Sequence, residues 1–119
     1  MRRAGGLLLL LLAACGEPEP PRHLRIIADA AEGRALMQRH DCRVCHQIPG
    51  LGGPYGRVGP SLAGYAGRGY IAGILPNTPD NLVRWIRAPT EIAPETAMPD
   101  QGVTTAQARH MAAYLYSLR

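Results

Sequence analysis

Phenylalanine is absent from this 119-residue chain, and so is lysine: all 13 basic side chains are arginine. The aromatic residues are five tyrosines and Trp85. From Asp29 to Arg119 there are 91 residues, and a core so poor in large apolar side chains is marginal at that length. Either the fold is weak or a large apolar object occupies its middle. Long apolar runs are missing as well. Leu7–Leu12, even extended through Ala13 and Ala14, falls far short of the roughly 20 apolar residues that a membrane-spanning helix takes. No Gly-x-x-x-x-Gly-Lys phosphate loop can exist without lysine. No basic run is interleaved with aromatics, so the usual marks of a nucleic-acid partner are lacking.

What is present begins with MRRAGGLLLLLLAAC. Arg2 and Arg3 precede a short apolar core and small residues, the layout of an export signal over residues 1–14. Leu12-Ala13-Ala14-Cys15 resembles a bacterial lipobox, which implies cleavage before Cys15 and acylation of that cysteine. Removing residues 1–14 would leave 11 basic against nine acidic groups, formally +2. Residues 15–28 then read as a lipidated tether: Gly16-Glu17-Pro18-Glu19-Pro20-Pro21 is extended and semi-rigid, rising about 3.1 Å per residue where it is polyproline-like. The expectation is an exported protein on the periplasmic side of a bacterial membrane, anchored through Cys15, with a single domain over 29–119.

The chemistry sits in HDCRVCHQIPG, residues 40–50. Cys-x-x-Cys serves as a zinc half-site, a redox disulfide or a haem anchor. Zinc takes four ligands, typically with a second Cys or His pair, and His23, His40 and His110 are scattered. A thioredoxin-like pair belongs at the head of a helix in a βαβ unit, and no strand-like alternation supplies a sheet. Cys42-x-x-Cys45-His46 is the attachment signature of c-type haem. Two thiols on one turn add across the two vinyl groups of one porphyrin edge, and His46 is brought under the iron. Haem c, covalently bound through two thioethers, is also the large apolar object that the core lacks. With Cys15 acylated and Cys42 and Cys45 bonded to haem, no thiol of the three is left over.

A proximal histidine is often paired with methionine on the other side of the iron. Met37 and Met111 fall on apolar helical stripes, where methionine fills core. Met98 stands in APETAMPDQG, in an irregular polar stretch between Pro94 and Pro99, 52 residues after His46. It is the expected sixth ligand.

Helix signals agree. Asp29 is placed to cap a helix carrying Ala30, Leu36 and Met37, with Gly33 costing it roughly 1 kcal/mol against alanine. Thr78-Pro79 opens a second helix with Leu82, Trp85 and Ile86 on its inner face, ended by Pro89. Thr104 and Gln107 form a capping box ahead of Ala108, Met111, Ala112, Leu115 and Leu118 at helical spacing. The glycine-rich loop between His46 and Tyr70 suits backbone that must approach a ring closely. Within it, Tyr55, Tyr65 and Tyr70 are candidates to reach a bound group's carboxylates.

Gly33, Cys42–His46, Gly59-Pro60-Ser61-Leu62, Gly67-Arg68, Trp85, Pro89, Pro94, Thr96, Met98 and Ala113-Tyr114-Leu115 together resemble the class I cytochromes c, in the form of small bacterial monohaem lipoproteins. The resemblance implies an all-α cytochrome c fold, three to five short helices wrapped around one haem. It implies that the Pro60 carbonyl accepts a hydrogen bond from His46, that Arg68 and Thr96 meet haem propionates, that Trp85 lies against the ring near the methionine, and that Tyr114 packs on Gly33. Asn77 stands where the mitochondrial branch has a propionate-binding tryptophan. No catalytic residue is expected. The implied work is transfer of single electrons between redox partner proteins: a cytochrome complex, a dehydrogenase or a terminal oxidase. Two alternatives stay open. One is a haem enzyme or gas sensor with an open iron site; the other is a fixed haem subunit of a larger respiratory complex.

Overall fold

Residues 28–119 are described in a computed structural model. Cys15, the export signal, His23 and the tether up to residue 27 lie outside the described residues. Among the described residues the first helix, α1 (Ala30–Arg39), starts where Asp29 offers its carboxylate to the backbone N–H groups of Ala31 and Glu32, at 2.7 and 3.2 Å. The last, α4 (Thr105–Ser117), starts at the capping box: Thr104 Oγ1 accepts from Gln107 N at 3.2 Å while Gln107 Oε1 accepts from Thr104 N at 2.9 Å. Between them lie α2 (Pro79–Arg87), capped by Thr78, and the four-residue α3 (Pro89–Ile92). Pro89 thus ends α2, as its missing N–H requires, and also opens a further turn that the sequence pattern did not announce.

Helices α1 and α4 cross at Gly33. A methyl group there would stand 2.5 Å from the His110 carbonyl carbon and overlap its oxygen, so only glycine lets the backbones meet. Gly33 faces the His110 carbonyl, and Tyr114, one turn further along α4, sends its hydroxyl to the Pro49 carbonyl at 2.5 Å. A second tie strengthens the crossing: His110 Nδ1 accepts from the Asp29 N–H at 2.8 Å.

The core gathers Leu36, Met37, Ile48, Leu62, Leu82, Ile86, Met111 and Leu115. Met37 and Met111 are 4% and 1% exposed, the core filling expected of them. On α2 the buried face is Leu82, Val83 and Ile86, with Trp85 at its margin packed against the core and partly open. A small antiparallel hairpin, β1 (Tyr70–Ile71) with β2 (Leu75–Pro76), adds the only strands among the described residues. Strands of two residues are too short to show alternation, so no periodic pattern marks them. The architecture is all-α, and among the described residues no helix is long and apolar enough to cross a membrane.

Candidate functional site

Asp41, in the left-handed region at φ 53°, turns the chain out of α1 and into a short 3-10 turn over Cys42–Val44. His46 N donates to Cys42 O at 3.0 Å and Cys45 N to the same oxygen at 3.3 Å. Cys42, Cys45 and His46 therefore share one tight turn. The two thiols are not joined, and both are half-buried. Burial pushes the Cys42 thiol up to about 11 from 9.0, with the neighbouring Asp41 and Cys45 adding to the rise against its own backbone hydrogen bond. Redox and nucleophilic cysteines need the opposite, a thiolate favoured by positive surroundings.

The imidazole is fixed on one side. His46 Nδ1 donates to the Pro60 carbonyl at 2.7 Å, which leaves Nε2 as the nitrogen free to ligate. The segment carrying Pro60 is laced along the cysteine turn by three backbone bonds: Gly56 N to Arg43 O, Gly59 N to Cys45 O and Leu62 N to Gln47 O, at 2.8, 2.9 and 2.8 Å. Gly59 lies against the ring. A methyl group on it would come within 2.5 Å of Nδ1 and 2.7 Å of Nε2, so glycine at this position is what admits the histidine. The other side of the turn is held by Arg43, whose guanidinium donates to Gly52 O at 2.5 Å. Arg34 Nε donates to Gly50 O at 2.7 Å.

Met98 sits in a second loop. Its N–H donates to Thr96 Oγ1 at 3.2 Å, and the Thr96 N–H donates to Ala93 O at 3.0 Å. Thr96 thus shapes the methionine's backbone and keeps its own hydroxyl hydrogen available.

Arg68 is committed to the chain itself. It donates to the Ser61 carbonyl, and its guanidinium lies 5.2 Å from the Tyr65 ring centroid. Asn77 donates to the Arg68 carbonyl at 2.9 Å and accepts from the Tyr116 hydroxyl at 2.8 Å. Tyr116 meets Tyr65 edge-to-face, with centroids 6.2 Å apart. Burial raises Tyr65 from 10.0 to about 12, offset by Arg68, and raises Tyr116 further still. This tyrosine–asparagine network was not expected. Of the three loop tyrosines only Tyr65 is buried; Tyr55 and Tyr70 are 49% and 64% exposed.

Two groups of expected site residues therefore form: Cys42, Cys45, His46 and Pro60, with Arg68 tied to the adjoining Ser61, and Thr96 with Met98. Among the described residues no three His, Cys, Asp or Glu side chains gather as a metal site. Nitrogen and sulfur donors are instead split between the two loops.

Comparison with known proteins follows the same lines. The family model for cytochrome c matches residues 30–119. The chain is 32% identical over 91 residues to cytochrome c oxidase subunit 2 of Alkalihalophilus pseudofirmus, and 33% identical over 94 residues to the subunit of that name from Bacillus sp. strain PS3. Each match covers 76% of this chain but 26% of the relative, so the chain spans about a quarter of the length of those proteins. The solved structure of cytochrome c2 from Rhodobacter sphaeroides shares the fold. It has a TM-score of 0.58 at 19% identity, over 76% of this chain and 96% of that one.

Proposed function

The chain belongs to the cytochrome c family, and we propose that it is a membrane-tethered electron carrier with one haem c held by thioethers from Cys42 and Cys45 and ligated by His46 and Met98. The observation that carries this reading is the state of His46. Its Nδ1 is occupied by Pro60 at 2.7 Å, its Nε2 has no hydrogen-bond partner among the described residues, and two unjoined thiols share its turn. The donor set fits the group: two thiols for the vinyl edge, an imidazole nitrogen and a thioether sulfur. Gly59, with no room beside the ring for a Cβ, fits the close approach such a ligand makes.

Bound there, the haem supplies a one-electron couple between ferric and ferrous iron. The chain's residues set its conditions. Pro60 orients the imidazole and makes it more electron-donating. Met98 offers a soft donor that favours the ferrous state. Thr96 steadies the methionine loop and has a hydroxyl hydrogen to give a propionate. Arg68 places positive charge on the same side as Ser61, and Trp85 provides an aromatic wall without a hydroxyl to accept a hydrogen bond. With His46 and Met98 both holding the iron, no place would be left for substrate, and the protein would work as a carrier.

The likeness to two oxidase subunits supports a terminal oxidase as partner. It also favours a second reading, a haem subunit held permanently in such a complex. The lipobox at Leu12–Cys15 supports a periplasmic site of action with the membrane reached through acylated Cys15. Acid–acetone extraction tests the cofactor. The denatured chain should keep its haem, with its mass raised by one haem; haem passing wholly into the organic phase would refute covalent attachment.

A further inference from the structure

Ten residues apart in sequence, Thr90 and Asp100 close the loop that carries Met98. Helix α3 begins at Pro89, and the residue before it, Ala88, has no side chain able to accept from the first turn. Asp100 supplies that acceptor from downstream. Its Oδ1 takes the Thr90 N–H at 3.2 Å, and the Thr90 hydroxyl is shared between its two oxygens at 2.7 and 2.8 Å. Inside the closed loop, the Ala93–Thr96 and Thr96–Met98 bonds hold the interior turns. Pro94 and Pro99 remove backbone freedom on either side of Met98. Asp100 is two residues beyond Met98, so the methionine's backbone cannot swing outward as a unit while the carboxylate stays on Thr90.

We propose that Thr90 and Asp100 are positioning residues, a clamp that keeps the Met98 sulfur at the iron and sets how often it leaves. The proposal rests on the reading of Met98 as axial ligand. Bonds to an ionised carboxylate are roughly twice as strong as neutral ones. Asp100 is exposed and Thr90 half-buried, both outside the buried core, so their loss loosens the loop without dismantling the fold.

The test uses ferric holoprotein and excess cyanide, whose binding waits on departure of the methionine. Asp100→Ala and Thr90→Val should each bind cyanide roughly tenfold faster, the factor that loss of one hydrogen bond to a charged group brings. The double variant should be no faster than the faster single one, because the two residues act as one unit. Thr90→Ser should restore the parent rate. Hydrogen exchange at the Met98 amide should accelerate in the same variants, and this readout needs no added ligand. Unchanged rates and exchange, or additive effects in the double variant, would overturn the clamp. The near-red band of iron–sulfur ligation in the unmutated protein separates the two failures. Band present with rates unmoved sinks the clamp alone; band absent sinks the clamp and the Met98 reading together.

Discussion

Gly33→Ala puts the helix crossing to the test. Inside a helix alanine is better than glycine by roughly 1 kcal/mol, so an unobstructed position would gain that much. Here the new Cβ would lie 2.5 Å from the His110 carbonyl carbon, 3.0 Å from Met111 N, and closer still to the His110 oxygen. The obstacles are backbone atoms of α4 and cannot rotate away as a side chain would. Overpacking a core costs about 1–3 kcal/mol and occasionally more, and a backbone obstacle belongs at the upper end. The net expectation is a loss of about 2 kcal/mol. The helices must also part, and the strain passes to the loop at residues 49–52. That loop hangs on α1 through Arg34 and on α4 through Tyr114, and it adjoins His46. Guanidinium unfolding followed by circular dichroism measures this: the midpoint should fall with the slope unchanged. Gly52→Ala, where nothing lies within 4 Å of the added methyl, is the control and should be neutral or slightly stabilising. A Gly33→Ala protein as stable as the parent would refute the close crossing.

Two further outcomes are expected. Cys15→Ser should release the domain from membranes into the soluble exported fraction, because a diacylated cysteine meets the two-chain requirement for stable anchoring; unchanged retention, read by fractionation and blotting, would contradict the lipobox. Tyr65 holds its proton up to about 12 against 10.0 for the ordinary group, and Tyr116 shifts the same way. The unfolded chain therefore loses these protons first, so stability is whole below about pH 10 and falls as pH rises toward 12. Urea midpoints should drop across that window. Tyr65→Phe and Tyr116→Phe should flatten the drop, and a flat profile in the parent would count against the buried network.

Much of this was legible because it is local. Asp29, Thr78 and Thr104 cap helices by rules that span three residues, and each does so here. The Cys42–His46 turn is contiguous, and Gly33 marks a crossing by its misfit in a helix. What the sequence hid depends on rotation and distance. That the His110 carbonyl meets Gly33 is a matter of helix rotation, which periodicity alone does not resolve. Asn77 joins Tyr65 and Tyr116 across separations of 12 and 39 residues, with no pattern linking them. Thr90 and Asp100 are ordinary polar residues until the loop closes. The hairpin turns at Ala72 and Gly73, both at positive φ, and alanine there gives no turn signal of the kind glycine or asparagine would.

The most direct test of the whole reading is the near-red spectrum of the ferric holoprotein with and without Met98. With His46 and Met98 both on the iron, the unmutated protein shows the weak charge-transfer band of iron–sulfur ligation and binds cyanide slowly. Met98→Ala loses the band, binds cyanide and carbon monoxide readily, and has a lower reduction potential. Met37→Ala and Met111→Ala keep the band and lose only packing, roughly 2–5 kcal/mol for buried methionines. An unmutated protein without the band that binds these ligands at once would contradict the carrier reading and place an open iron, that of a haem enzyme or sensor, in this fold.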